Sequence, residues 1–520
     1  MKMMQLPCFK TRLNKTLACA ASRGLIRHGL NMVSVVLVGL SWGGAVHAAG
    51  IQQAFLVQNS GWMEPFYTDP ISQFKPLVAA VARATTTPED TVYTLAFSQS
   101  SGSHKSPMLL SKSLGGADVA KSIASLAVAR KSPGGGMADT DFKEAVTKAI
   151  TGPFNAESGI LWIFTNNKNS PNNDSQTADR NRDFYRLLHL EPSITKTLVF
   201  PLKMPVQGKL FKATGLMVYA LAYGQPAAAA LDRIMAEGRL SKVLTHEPAR
   251  LKPVDQDAAR LVPEGVKNSA NVRVSLGTDQ RTLILDVGAD GLVPSVTLQA
   301  SIENLLYPYV ISKAEVEAAL LVGDRRSAVK VTPSVIQDLR PGAKQSVEVS
   351  FTLPMAQVPS PWSAQALAAM GKQVQLPLVI QMGLAGQQLA PSEAFTVQLR
   401  ELFPGDPISE IFTPPESVRA SQTRVPLLLR IQYPLTPVFA ILGGILLLIV
   451  GIIAMLVVLR TDKRYEVMVD GVKRNYVLRP FTTISIKDSD GNPVGEIKRG
   501  FGRPQVLSVI VGRSLSIISR

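Results

Sequence analysis

The sequence predicts a multidomain chain: an α/β doubly wound head, a β-sandwich, one transmembrane helix and a small β-rich cytoplasmic domain. Three observations predict it. Over residues 51–240 short continuous apolar runs alternate with helical patterns, as in a mostly parallel sheet covered on both faces. From residue 270 the apolar residues recur at every second position between Gly, Pro and Asp turns, the period of sandwich strands. Near the C-terminus runs the uncharged, almost wholly aliphatic segment Val438 to Leu459. With 520 residues, 46% of them hydrophobic and 18% charged, the chain is too apolar for a disordered protein and too long for one core, which stops growing near ~250–300 residues.

Residues 1–48 have the layout of a secretory signal peptide. They hold six basic residues (Lys2, Lys10, Arg12, Lys15, Arg23 and Arg27) and no acidic one. An apolar stretch follows from Met32 to Leu40, and Val46 and Ala48 stand at the minus-three and minus-one positions of a cleavage site after Ala48. Of the net charge of +16, much belongs to this segment; without it 49 basic residues face 39 acidic ones, a balance of +10. The basicity therefore reads as targeting, and no nucleic-acid partner is expected. Cys8 and Cys19 are the only cysteines, so the rest of the chain has no disulfide framework, Cys–zinc site or catalytic thiol.

In the head, 49–240, strands are expected at 54–57, 92–97, 160–164, 197–202 and 216–222. Helices are expected at 77–82, 119–129, 142–150, 178–190 and 228–236. Residues 241–269 are polar, hold Pro248, Pro253 and Pro263, and read as a linker. The Ig-like sandwich is expected over 270–402, from Val272/Val274/Leu276, Leu283/Leu285/Val287, Val296/Leu298, Val329/Val331 and Val347/Val349/Phe351, with a helix at 314–321. Six prolines between Pro404 and Pro434 suggest a semi-rigid stalk over 403–437.

The run 438–459 is long enough to span: at 1.5 Å per residue its length is about 33 Å. Arg460, Lys463 and Arg464 follow at once, and basic residues stay on the cytoplasmic side. With a cleaved leader this implies a single-pass type I protein of the bacterial inner membrane, its large N-terminal part periplasmic. The tail, 460–520, shows short strands and a turn at Asp490-Gly491-Asn492-Pro493. After Arg460 it holds 11 basic residues against six acidic ones, which suits a surface near anionic lipid.

One constellation carries a resemblance. The first strand ends in Val57-Gln58-Asn59-Ser60-Gly61-Trp62-Met63. Gly135-Gly136-Met137-Ala138-Asp139-Thr140-Asp141 precedes a helix, and Phe164-Thr165-Asn166-Asn167 ends the most hydrophobic strand. In order and spacing these resemble the Asp-x-Ser-Gly-Ser-Met, Gly-Gly-Thr-Asp and Thr-Asp-Gly motifs of the von Willebrand factor A family. The resemblance covers residues 51–240. It implies a head that binds proteins and, in the family, an Mg²⁺ or Ca²⁺ held by hard oxygen donors.

The five ligand positions map onto Gln58, Ser60, Trp62, Thr140 and Asn166. Both aspartates are replaced by amides and one serine by an indole, so no metal cofactor is expected; a substitute carboxylate could come only from Asp139 or Asp141. The expected binding edge is Asn59, Trp62, Glu64, Thr140, Asn166 and Asn167. Trp62 is expected there either as an exposed aromatic anchor or as filler of the vacated metal pocket.

Catalytic signals are weak. Ser60 follows a strand at a sharp turn, but no G-x-S-x-G surrounds it, and His104, His189 and His246 stand in no recognisable spacing. There is no P-loop, H-E-x-x-H or dinucleotide fingerprint, and no small-molecule substrate is evident. The Asn- and Ser-rich stretch 169–179 reads as a solvated loop. The expected function is non-enzymatic: a membrane-anchored periplasmic binding or scaffolding protein with a protein partner in the periplasm or inner membrane. The alternative is an accessory subunit of a membrane transport or channel complex, contacting a partner through Gly443, Gly444 and Gly451. A more remote alternative is an envelope hydrolase.

Overall fold

A computed structural model describes residues 50–102, 104–132, 134–168, 175–369, 373–404 and 408–518. The leader expected at 1–48 and residues 169–174 of the polar loop lie outside the described residues. The chain is mostly β, with 44% strand against 25% helix, and this overturns the doubly wound α/β head and sandwich plan.

The head sheet contains β1 (Gln52–Gln58), β2 (Thr91–Phe97), β3 (Met108–Leu114), β4 (Gly159–Thr165), β5 (Ile194–Gln207), β6 (Lys212–Tyr223) and β7 (Ala249–Lys252). Their spatial order is 3-2-1-4-6-5-7. Only β1 pairs in parallel, with β2 and with β4; the pairs β2–β3, β4–β6, β5–β6 and β5–β7 are antiparallel. A doubly wound sheet needs parallel strands joined by crossovers of a dozen or more residues. Strands expected at 197–202 and 216–222 leave room for one. In fact β5 and β6 are longer and only residues 208–211 separate them, so they can form only a hairpin.

Helices cover both faces of this sheet. One face packs α1 (Glu64–Thr68), α2 (Phe74–Thr85), α3 (Val119–Ala124) and α6 (Gln225–Ala236) around Phe55, Val57, Trp162 and Phe164. The other packs α4 (Phe142–Thr151) and α5 (Ser175–Leu190) around Leu56, Phe97, Ile163 and Tyr219. The strands read as unbroken apolar runs because both faces are buried.

The second sheet contains β8 (Ala259–Val266), β9 (Val272–Leu276), β10 (Leu283–Gly288), β11 (Ser295–Asn304), β12 (Tyr309–Val322), β13 (Arg325–Thr332), β14 (Val335–Leu339), β15 (Lys344–Thr352), β16 (Gln373–Pro391) and β17 (Ser421–Gln432). Its order is 8-11-15-13-12-16-17-10-9, with β14 beside β12. An Ig-like sandwich would have two separate sheets. Here β13 pairs β12 through its first half and β15 through its second, so one sheet runs continuously and curls almost into a barrel around a single core.

Three further expectations are corrected. The helix at 314–321 is part of β12. Its Ala, Glu and Leu residues favour helix in isolation, but Ala314, Val316 and Leu320 alternate into the core. The linker 241–269 contributes β7 to the head sheet and β8 to the second sheet. The stalk 403–437 holds β17, a strand in the interior of the second sheet. Before it, α8 (Glu393–Leu402) and the 3₁₀ turn Ile408–Phe412 return to the head, where Phe395, Leu399, Ile411 and Phe412 join the core around Phe184 and Tyr219. Between β15 and β16 lies the short α7 (Ala364–Ala368).

After β17 comes α9 (Thr436–Arg460). Within Thr436–Val458 an 18-residue stretch has a mean hydropathy of 3.1 and none of it is buried, so this helix is long and apolar enough to cross a membrane. The C-terminal domain has β18 (Lys463–Val469), β19 (Val472–Leu478), β20 (Thr483–Lys487), β21 (Pro493–Arg499), β22 (Pro504–Val509) and β23 (Leu515–Ile518). They form two three-stranded sheets, 19-18-23 and 20-21-22, over a small core of Val467, Leu478, Ile486, Val494 and Ile497.

Candidate functional site

The site lies where β1 and β4 end side by side, so that their following loops meet the segment entering α4 and the β5–β6 turn. Gln58, the last residue of β1, is fully buried. Its Nε2 donates to Ser60 Oγ at 2.7 Å, Thr140 Oγ1 at 2.8 Å and the Lys168 carbonyl at 3.2 Å. Its Oε1 accepts from the Thr165 hydroxyl, whose oxygen in turn accepts from Asn167 N at 2.7 Å. Thr140 Oγ1 also lies 2.8 Å from Ser60 Oγ. Three of the five residues predicted as ligand positions, Gln58, Ser60 and Thr140, therefore converge on one buried hydrogen-bond hub.

Asn166 faces elsewhere: its Nδ2 donates to the Trp62 carbonyl at 2.5 Å. It thus holds the Trp62 backbone against the end of β4. Asn167 adopts a left-handed backbone at φ 64°, open to Asn at little cost, and accepts from the buried Tyr219 hydroxyl at 2.8 Å. Asn59 binds the neighbouring segment, its Nδ2 donating to the Ala127 carbonyl at 3.2 Å and its own carbonyl accepting from Ala129 N at 2.7 Å. Glu64 accepts from Thr68 Oγ1 at 2.9 Å and from Lys209 N at 3.0 Å, tying α1 to the β5–β6 turn.

The hub does not fit a divalent cation. At the centre of its oxygens sits a hydrogen-bond donor, the Gln58 amide nitrogen, where a cation needs further oxygen ligands and negative charge. The two substitute carboxylates are engaged: Asp139 pairs with Lys131 Nζ at 2.6 Å, and Asp141 caps α4 by accepting from Glu144 N at 2.8 Å. Ser60 Oγ is held between Gln58 and Thr140, while His104 bonds Ser98 Oγ and His189 bonds the Ile411 carbonyl.

Of the six residues expected at the binding edge, Asn59, Glu64, Thr140 and Asn166 are buried, and so shape the surface from beneath. Asn167 and Trp62 are partly exposed. The Trp62 indole packs on Phe211 with ring centroids 5.1 Å apart, and Lys168 Nζ lies 5.8 Å from its centroid. Trp62 therefore neither fills the vacated pocket nor stands alone. It forms one wall of an open cleft of 510 Å³, completed by Met137, Leu210 and Phe211, with Lys131 and Asp139 on the rim. Leu210, which also lines the cleft, is 65% exposed.

The sequence reading missed Met137, Leu210 and Phe211. Met137 comes from a hairpin in which Ala138 N donates to the Ala129 carbonyl, with the glycines 134–136 at its tip. That hairpin lies so close to Gly61 that a Cβ there would stand 2.5 Å from Met137 Cβ, which explains the glycine. Leu210 and Phe211 sit in the β5–β6 turn, whose only signal was Gly208 between two apolar strands.

No family model matches the chain, and no curated protein matches it. Nothing in these comparisons identifies the von Willebrand factor A family.

Proposed function

We propose that this chain is a membrane-anchored binding protein whose head captures a protein partner, without a metal ion, through the cleft beside Trp62. The observation that supports this most directly is the cleft's composition. Trp62, Phe211, Leu210 and Met137 offer apolar and aromatic surface, and the Lys131–Asp139 pair on the rim can orient a polar partner backbone. Aromatic residues in a partly desolvated pocket are the usual anchors of protein interfaces. The donor set of the buried hub beneath is unsuited to a cation, which supports recognition without an ion.

In the proposed orientation α9 spans the inner membrane. Residues 49–435 face the periplasm and the C-terminal domain the cytoplasm, because Lys463 and Arg464 follow the apolar helix.

The test is in-cell photocrosslinking of the full-length protein from a photoreactive residue at Lys209, at the cleft margin. Wild type should give a discrete protein adduct that persists in chelator. Trp62→Ala or Phe211→Ala should weaken capture by about 2 kcal/mol, roughly 30-fold. The melting temperature should hardly change, since both rings are partly exposed. An adduct unchanged in Trp62→Ala, or one abolished by chelation, overturns the proposal.

A further inference from the structure

Phe481 and Phe501 are 50% and 68% exposed, yet they touch each other edge-on with centroids 4.5 Å apart. Phe481 also has a backbone φ of 59°, a left-handed conformation unfavourable for a bulky residue. Two phenyl rings held together on a surface, one on a strained backbone, form an apolar projection with nothing from the described chain over it.

The hydrogen bonds fix where this projection lies. The chain leaving α9 passes through Thr461 and Asp462. Arg499 Nη1 donates to the Thr461 carbonyl at 3.2 Å, and Arg479 Nε donates to Asp462 Oδ1 at 3.0 Å. Arg499 N donates to the Thr482 carbonyl at 3.0 Å. The turn carrying Phe481 and the turn carrying Phe501 are thus both fastened to the two residues that follow the apolar helix. If α9 crosses a bilayer, its last turn ends at headgroup depth, and the headgroup layer is only about 5–8 Å thick. The same end of the domain carries exposed Lys463, Arg464, Arg479 and Arg503. Asp462, bonded to Arg479, is at this end too, whereas Asp470, Asp488 and Asp490 lie at the opposite end, beyond β18 and before β21.

We propose that the C-terminal domain rests on the membrane surface, with Phe481 and Phe501 inserted together among anionic phospholipids and the surrounding arginines and lysines on their headgroups. The inference rests on reading α9 as a span. Aromatic rings favour this interface, and each basic side chain gains from anionic lipid within a Debye length. The domain is then held in one orientation at the membrane, its Asp488–Asn492 turn facing away. β21 separates the two ends by about 20 Å.

The chain has no thiol after Cys19, so single nitroxide labels can be placed once Cys8 and Cys19 are serine. Phe481→Cys, Phe501→Cys, Asp490→Cys and Ile449→Cys variants of the full chain are labelled in vesicles of phosphatidylcholine with phosphatidylglycerol. Collisions with oxygen and with a water-soluble nickel chelate then report depth. Labels at 481 and 501 should be several-fold more accessible to oxygen than to nickel, and the label at 490 the reverse. In pure phosphatidylcholine the labels at 481 and 501 should move toward water. A deep label at 449 with labels at 481 and 501 as nickel-accessible as 490 overturns the wedge and keeps the span. Labels at 481 and 501 shielded from both reagents also overturn it, by indicating a protein cover. A nickel-accessible label at 449 overturns both readings.

Discussion

At Gln58 one carboxamide meets four neighbours, Ser60, Thr140, Thr165 and Lys168, with no water-facing atom of its own. Such a group is costly to remove, because each partner left unpaired in the interior costs about 1–3 kcal/mol. Gln58→Ala should destabilise the head by about 3 kcal/mol or more in urea unfolding, and millimolar Mg²⁺ should not restore it. A loss under about 1 kcal/mol would show that water replaces the amide. Three members of the hub, Gln58, Ser60 and Thr140, stood out in the sequence only through the resemblance, as positions of a metal site; their hydrogen bonds to one another, and the parts of Thr165 and Lys168, were not legible there. Nor were the cleft walls. Leu210 and Phe211 acquire meaning only once β5 and β6 are known to pair, and Met137 only once its hairpin folds onto Gly61.

Among the elements, the positions of most strands and helices of the head followed from apolar runs, but their directions did not. Run length and composition report burial on both faces, which β4 shares equally with its parallel neighbour β1 and its antiparallel neighbour β6. Direction is decided by connection length, and that depended on strand ends that β-branched and polar residues blur. The sequence reading misplaces the segment 393–412 because it reads no helix there: residues up to 402 fall in the expected sandwich and the prolines after them in the expected stalk.

In the structure that segment packs on the head, and His189 of α5 marks the contact. Its Nε2 donates to the Ile411 carbonyl at 2.7 Å. Burial pushes the His189 pKa below its ordinary 6.5, with Lys252 adding to the decrease and the Ile411 carbonyl opposing it. The folded state thus keeps the ring neutral while the unfolded chain protonates near 6.5. Stability should be complete above that pH and fall as the pH drops below it, by at most about 1.4 kcal/mol per pH unit, until the folded-state pKa is reached. His189→Gln, which keeps a donor, should flatten the profile between pH 7 and 5 relative to wild type. Parallel profiles would remove His189 as the cause.

At the scale of the whole molecule, the segment 393–412 makes the head and the near-barrel one mechanical body. It leaves β16, enters the head core and returns to β17, so the second sheet cannot separate from the head without pulling Phe395, Ile411 and Phe412 into water. Phe395 also stacks edge-on against Tyr307 at 5.7 Å, in the connection between β11 and β12, and against Phe412 at 4.8 Å. A force on the cleft at the far end of β1 is therefore carried through a packed body to β17, which is followed directly by α9. Phe412→Ala should cost about 3–5 kcal/mol, the usual loss for a fully buried phenylalanine. Because Phe412 contributes to the joint and not to the core of the second sheet, calorimetry of the full-length protein in detergent should show one unfolding transition resolve into two. The head should melt first and the near-barrel close to its original temperature. A single transition shifted downward as a whole would mean that other contacts, such as the β7–β8 connection, suffice to couple the two parts.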